Sequence, residues 1–454
     1  MADIFEIAKS GIIANQRALD ITGQNISNAS NPEFSRRRPE LSEQGFRQNG
    51  KFAGLGVRVD DVTRLRSDIL DQRIRSQETD IGAFSEKNRV FKQLESVLAT
   101  DTEGDLNDRL NAFFNSFRQL SANTDNNALR QNVVREAQNL TSTFNRLANS
   151  FGDVRSDGID TAAKKVDKIN TLLNEVASFN ASITSGEAEG VESDFASLDK
   201  RNAKLRELSG LAGVSITEAD NKSLTLRIGD IVVLQDDQVT ELSIDKQNAL
   251  QNKTRVRTDN GKVLQNIGGE LGGIVEMVNN KIPQLSDDID RLAQTVVENV
   301  NDIHKNGFGL DNSTGLNLFN PDKTSAQTIE LNESIVNDTD KLAASDVPNA
   351  AGNGQQALAI GALSDADNLI DGKSVTEFTI DTVAGVGAEI NEIETSLSSS
   401  ESALSFVENQ QESLSGVNID EELANMIKFQ NSFQASARVL NTAQTMFDSL
   451  LRIV

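Results

Sequence analysis

Residues 419–454 read IDEELANMIKFQNSFQASARVLNTAQTMFDSLLRIV, and an apolar side chain returns at every seventh position: Ile419, Met426, Phe433, Leu440, Phe447 and Val454. Seven residues make nearly two helical turns, so these side chains line one face of a helix that spans ~54 Å at ~1.5 Å per residue. Leu423, Ala437 and Leu451 add a second row four residues on. The opposite end of the chain repeats the pattern at Phe5, Ile12, Leu19 and Ile26. Each end therefore needs a helical partner, and the two ends are expected to pair as a coiled coil or to pack on neighbouring copies.

Between the ends, apolar residues step by three and four. Leu65, Ile69, Ile81, Phe84, Phe91, Leu94 and Leu98 predict one long helix, and Leu106, Leu110, Phe113, Phe117 and Leu120 a second. Two further runs, Leu129 to Phe151 and Ala162 to Ile183, continue an antiparallel bundle. After Gly213 the period changes to that of short strands, at 214–217, 223–228, 231–234, 239–244 and 254–258. Gly229-Asp230 and Asn260-Gly261 stand where tight hairpin turns need positive φ. Helical spacing resumes from Leu271 to Ile303, with Pro283 expected to produce a kink or a local restart, and again from Val375 to about Leu414. One more strand is expected at Thr328–Leu331.

The fold class predicted is mainly α and elongated, with paired terminal helices, a long-helix bundle and a small antiparallel β unit. Residues 1–45 with 415–454 form the terminal-helix domain, 46–213 with 269–305 and 373–414 the bundle, 214–268 the β unit, and 306–372 a loop-rich mixed segment. The chain goes out and returns, which brings both ends to one end of the molecule.

The net charge of −24 disfavours nucleic acid and anionic membrane as partners. The charge is uneven: residues 1–75 hold 12 Lys/Arg against 10 Asp/Glu, 415–454 hold 3 against 4, and 76–414 hold 29 against 54. Nearly neutral ends can crowd together while the acidic middle faces solvent. No stretch approaches the ~20 apolar residues of a membrane span, and Met1-Ala2-Asp3-Ile4-Phe5-Glu6 lacks the regions of a cleaved signal. The absence of cysteine fits a cytosolic chain or one threaded unfolded through an export channel.

No catalytic, cofactor or metal site is expected. His304 is the only histidine and there is no cysteine, which excludes multi-histidine and His/Cys metal centres. At the end of a predicted helix, His304 reads as a polar cap favoured by the helix dipole. Asp367–Ser374 ends in Gly-Lys-Ser but lacks the first glycine of a phosphate loop and any preceding strand. Asp287-Asp288-Ile289-Asp290 and Asp420-Glu421-Glu422 read as acidic helix starts. Arg36, Arg37 and Arg38 form a compact cationic patch in an acidic chain, read either as a solvated loop or as an intersubunit clamp on an acidic neighbour.

These residues carry a family likeness. Ala18-Leu19, Asn25-Ile26-Ser27-Asn28 and Asn31-Pro32-Glu33-Phe34-Ser35-Arg36 resemble the N-terminal signature of the bacterial flagellar axial proteins, the rod, hook and hook-associated proteins. The motif residues are Asn25, Ile26, Asn28, Pro32, Phe34 and Arg36, while Glu33 and Phe34 stand where the family usually has glycine and tyrosine. Asn418–Val454 is similar to the family's closing helix. Gly54–Arg64, Arg130–Leu147, Gly268–Gly273 with its long helix to His304, and Gly307–Phe319 resemble the hook-associated branch.

The resemblance implies a structural role in a homo-oligomeric ring joining hook to filament and needed for filament assembly, without enzymatic activity. It implies partners in the hook protein, the second junction protein and an export chaperone bound by the C-terminal helix, with no nucleic acid and no membrane insertion. Secretion would follow the flagellar type III route without a cleaved signal, to the extracellular flagellum. A large outer β domain, common in the family after a segment like Leu316–Phe319, has no room here. The competing readings are another axial protein such as a flagellin or the second junction protein, a cytosolic coiled-coil adaptor, and an enzyme.

Overall fold

The computed structural model describes residues 2–48, 51–98, 105–188, 194–219, 221–245 and 253–452. Helix α1 (Ala2–Ser27) leads into an antiparallel ribbon, β1 (Arg37–Gln48) and β2 (Lys51–Arg64), paired from Arg37↔Arg64 to Gln48↔Lys51 with two register shifts. The sequence reading missed this ribbon and placed a domain boundary at residue 45, inside β1. The ribbon lies along α1. The Ser10 hydroxyl donates to Leu55 O at 3.2 Å and accepts from Val57 N–H at 3.3 Å. Gly56 has φ +110°, and a Cβ there would come within 1.9 Å of Ser10 Oγ, so helix and strand touch only because that residue is glycine.

The chain then climbs through α2 (Asp68–Leu98) and α3 (Leu106–Ala122) before returning along α4 (Asn127–Ala188). The two runs read as successive bundle helices are one 62-residue helix, ~93 Å long at ~1.5 Å per residue. Its two halves serve different cores. From Val133 to Phe151 it packs with α2, α3 and the later helices around Phe113, Phe114, Phe117 and Phe319. From Ile159 to Ala177 it packs with α5 (Phe195–Leu211) and the β unit. Between the two stretches, Gly158 lets the helix ride against Val278, whose Cγ2 would lie 2.6 Å from an added Cβ.

The β unit is a meander, β3 (Val214–Glu218), β4 (Leu224–Ile228), β5 (Ile231–Gln235) and β6 (Gln238–Val239), followed by a ribbon of β7 (Leu242–Ile244) and β8 (Val256–Thr258). Gly229 and Gly261 take positive φ at the turns read from the sequence. Next come α6 (Gly269–Glu276) and α7 (Ile282–His304), joined through a wide π turn at Met277–Lys281. At Pro283 the helix restarts, as one of the two sequence readings allowed. The proline sits at the start of α7, where its missing N–H costs little, and the wide turn just before it absorbs the irregularity.

Residues 306–345 wrap the far end of the bundle and contain the short helix α8 (Glu333–Asn337); of the strand expected at 328–331 only one bridge, Phe319↔Leu331, forms. After α9 (Gln355–Ala362), the Gly-Lys-Ser sequence makes a tight turn with Asp371 at φ +49° and Gly372 at +79°. Ser374 and Glu377 then close a capping box on α10 (Val375–Ser415), which runs back along α2, and α11 (Ile419–Leu451) returns to α1.

Glycines decide how closely α2, α5 and α6 meet. A Cβ on Gly82 would lie 2.1 Å from Gly210 O, whereas one on Gly152 of α4 meets nothing within 4 Å. Gly82→Ala is therefore expected to lower stability by roughly 1–3 kcal/mol through overpacking, while Gly152→Ala raises it by about 0.5–1 kcal/mol. Urea unfolding midpoints measure both; equal effects of the same sign would contradict the packing.

Candidate functional site: the joint of the two termini

Helices α1 and α11 lie side by side, and the centre of their environment is built from small residues. On α1 the buried positions are Ala8, Gly11, Ala14, Ala18, Ile21, Thr22 and Asn25, while on α11 they are Glu422, Phe429 and Ala443. A Cβ on Gly11 would sit 2.7 Å from Ser436 Oγ, so the helices approach closely there. The seven-residue stripes flank this centre. Phe5, Ile12, Leu19 and Ile26 are half-buried, as are Met426, Phe433 and Leu440. Phe5 meets the ring of Phe447 edge-on at 6.4 Å. Ile419, Leu423, Phe447 and Leu451 stay about half exposed on the single chain, and Val454 lies outside the described residues. Ile4, Ile7 and Ile13 on α1 and Ile427, Val439 and Met446 on α11 are exposed as well. One partner helix cannot cover a face this wide.

At the end of α1 the chain is tied by a polar lock. The buried Asn25 side chain reproduces a strand neighbour: its Oδ1 accepts from Arg37 N–H at 3.0 Å and its Nδ2 donates to Arg37 O at 2.8 Å. The same Nδ2 donates to Glu422 Oε2 at 3.1 Å. Arg36 is held at both ends. Its N–H donates to Ser415 O at 3.1 Å and its carbonyl accepts from Leu65 N–H at 2.9 Å. Its guanidinium meets Glu422 at 2.7 Å and Glu421 at 2.9 Å. Thus one residue pins the end of α10, the first turn of α11 and the exit of β2, and the acidic start of α11 has a cationic partner as well as the helix dipole.

The lock continues toward the bundle. The Arg37 guanidinium lies 5.0 Å from the Phe34 ring and 5.2 Å from that of Phe195, 3.7 Å from Asp199, and donates to Gln24 Oε1 at 3.0 Å. Arg64 donates to Asp199 at 3.1 Å, and burial lowers its pKa below the usual arginine value although Asp199 offsets part of the effect. Arg66 bonds Asp71 at 2.5 Å and Ser35 Oγ at 3.2 Å, and Gln411 reaches Asp71 from α10 at 3.0 Å.

Of the clamp residues, Arg36 and Arg37 are thus engaged by carboxylates of their own chain, because α11 and α5 bring those acids back to the turn. Arg38 alone projects, 63% exposed and 3.9 Å from Glu40. Asn28 donates to Gln24 O at 2.9 Å, Pro32 is exposed, and the Asn31 side chain accepts from Glu33 N–H at 3.1 Å. Glu33 keeps a negative φ, so this turn does not depend on the family's glycine. Sequence reasoning missed Glu422, Asp199 and Phe195 as members of the lock. The acidic run 420–422 beside an arginine cluster was the available signal.

His304 is corrected too. It is buried and neutral, with Nδ1 donating to Leu316 O at 2.6 Å and Nε2 accepting from Ala343 N–H at 3.0 Å, so the helix dipole is not what holds it. Among the described residues no group of three or more His, Cys, Asp or Glu is placed to hold a metal, and no helix is long and apolar enough to cross a membrane.

Chain ends closed on each other by a buried polar lock, below a long helical bundle and with wide apolar faces left open, define a structural protein of the axial type. Residues 91–319 match the family model of the flagellar hook-associated protein FlgK helical domain, and residues 410–453 that of the flagellar basal body rod FlgEFG protein C-terminal region. The chain belongs to the flagellar hook-associated protein FlgK family: it is a structural protein of the flagellum and not an enzyme. Flagellar hook-associated protein 1 of Bacillus subtilis (strain 168) is 25% identical, over 98% of this chain and 97% of that one. The protein of that name in Escherichia coli (strain K12) is 23% identical over the full length of both. A solved structure, the flagellar hook junction protein FlgK from Burkholderia pseudomallei, shares the fold with a TM-score of 0.65 at 11% identity, covering 76% of this chain and 100% of that one. Family membership places the protein with the extracellular flagellum and other axial proteins, and sets aside the flagellin-like, adaptor and enzyme readings.

If Arg36 and Glu422 are the centre of the lock, a double-mutant cycle of Arg36→Gln and Glu422→Gln should give a coupling energy of roughly 1–3 kcal/mol. Hydrogen exchange of the β1–β2 amides reports it. A coupling below about 0.5 kcal/mol would show that the ribbon is held elsewhere.

Proposed function

We propose that this chain forms a homo-oligomeric ring between hook and filament and that filament assembly requires it. The observation that carries this reading is the excess of apolar surface on α1 and α11 that remains after they have paired with each other and with the ribbon. Second copies on either side supply the missing faces. The hook protein would lie on one side of the ring and the second junction protein on the other. Residues 1–45 and 415–454 form the inner wall, and the rest of the β1–β2 ribbon leads from it to the bundle. The bundle of 46–213 with 269–305 and 373–414 forms the next shell, carrying the β unit 214–268 and the mixed segment 306–372. The alignment with the Escherichia coli relative runs to 552 positions against 454 residues here, which supports the loss of an outer domain. Before assembly the C-terminal helix binds an export chaperone, and the chain leaves the cell through the flagellar type III route without a cleaved signal.

The deciding experiment is electron microscopy of a deletion strain, which should show hooks without filaments while flagellin monomers collect in the medium. Complementation with Phe433→Asp or Leu440→Asp should fail, because a charge in the packed wall costs several kcal/mol, on the order of 3–5, when no partner meets it. Secreted mutant protein should still carry a folded bundle by circular dichroism. Normal filaments with either substitution would refute the packed-wall reading.

A further inference from the structure

His304 and Arg130 grip a single peptide group from two helices. The Leu342 carbonyl accepts from Arg130 Nη1 at 2.7 Å, and the N–H of the same peptide, that of Ala343, donates to His304 Nε2 at 3.0 Å. Arg130 also donates to Thr124 O at 2.7 Å and Thr339 O at 3.2 Å, and all its bonds go to backbone carbonyls. His304 Nδ1 faces the Leu316 carbonyl at 2.6 Å, and a carbonyl only accepts, so the ring proton is on Nδ1. Nε2 must then be bare to receive Ala343 N–H. Both side chains are about 1% exposed.

The clasp therefore holds two limbs. The first runs from Asn306 to Leu316, the second from Asp338 to Ser345, and they are paired by Phe308 N–H to Ser345 O at 2.8 Å and Leu310 N–H to Asp340 O at 2.7 Å. The stretch between the limbs is held differently. Asn301 makes a two-way bond to the Phe319 backbone at 2.9 and 3.0 Å, Asn145 donates to Ala326 O at 2.8 Å, and Phe319 and Ile335 are buried in the core.

We propose that this clasp is an acid-release latch: a proton on His304 Nε2 opens the limbs 306–316 and 338–345, while 318–335, the bundle and the terminal joint stay closed. Protonation turns the acceptor into a donor facing the Ala343 N–H and sets a second cation against the peptide that Arg130 already holds. The ionisable groups around the ring do not compensate for it. Arg130 repels the added charge, and Asp340, Asp311 and Asp125 act on Arg130 without bonding it. Asp302 on α7 and Lys305 just beyond it pair with each other, Lys341 lies near Asp338, and Asp346 accepts from Asn353. Helix α9 brings no ionisable side chain, and Arg118 of α3 bonds Asp365.

The direction in pH follows from the same contacts. Burial, with Arg130 adding to it, lowers His304 to about 4 from its ordinary 6.5. Above pH 6.5 open and closed limbs are both neutral at this ring and the latch is at full strength. Between 6.5 and about 4 the open form takes the proton in preference, so opening rises by up to tenfold per unit and by about 80-fold across the window.

The single histidine makes the test direct. The ring of the full-length protein is followed by NMR from pH 7.5 to 4, with exchange of the Phe308, Leu310 and Phe319 amides corrected for intrinsic pH dependence. The latch predicts a ring that titrates well below 6.5 and limb amides that open about 40-fold more at pH 4.5 than at 6.5, with Phe319 unchanged. His304→Gln removes the titration and should flatten the limb response. Arg130→Gln removes the neighbouring cation and should move the ring's midpoint upward, with limb opening following it, so a poorly folded His304 variant does not end the test. A ring titrating near 6.5 with limbs unmoved, or an acid response identical in His304→Gln, would overturn the proposal.

Discussion

At four places where a strand or loop meets a helix, a carboxamide bonds both backbone groups of one residue. Asn25 does this to Arg37, Asn170 to Leu242, Asn279 to Thr254 and Asn301 to Phe319, each with one bond given and one received at 2.6–3.0 Å. A strand edge or loop turned toward a helix presents an N–H and a C=O that must be satisfied, and asparagine supplies both partners from one rigid plane. Aspartate could accept but not donate, and an aliphatic residue could do neither. The ribbon, the β unit and the far-end wrap are therefore fixed to the helices by polar registration, with apolar packing filling in behind. Even the π turn before Pro283 fits this scheme, since the widened turn carries Asn279.

The joint between the terminal helices and the bundle is polar in the same sense. Asn25, Ser35, Asp71, Asp199, Ser415 and Glu422 are all buried there, among four arginines that bond them or pass beside them. Buried ion pairs contribute little net stability against well-packed apolar groups, but breaking one partner is costly, so such a joint specifies one arrangement more than it strengthens it. Five elements meet at Arg36 and Arg37, and their backbone groups are aligned by them before any apolar surface is counted.

The helices and the β unit were legible because burial imposes a period, and the period is visible when one face is apolar and the other is not. The ribbon at 37–64 was not. Its strands carry Arg37, Arg38, Glu40, Glu43, Asp60 and Asp61, and Val62 is buried where Leu41 is exposed, so no clean alternation survives. The small residues of α1 were less legible than its large ones. Phe5, Ile12, Leu19 and Ile26 attract attention, yet they are half-buried, while the small residues Ala8, Gly11, Ala14 and Ala18 are buried and Gly11 lets α1 come close to Ser436 of α11. The lock was half legible: the motif residues and arginines stood out, but their partners are 160 to almost 400 residues away in sequence, as with Asp199 and Glu422.

Helix α4 is shared by two separate cores, and this makes it a fixed ruler. Adding one residue between Phe151 and Ile159 would turn everything beyond it by ~100° and advance it by ~1.5 Å, rotating Ile169, Leu173 and Val176 away from the β unit they serve. Only additions close to whole numbers of turns, such as seven or eleven residues, keep both faces in phase. Variation in length can enter this architecture at loops and at the far-end wrap, while the distance between the two cores is set by a count of residues that cannot drift one at a time.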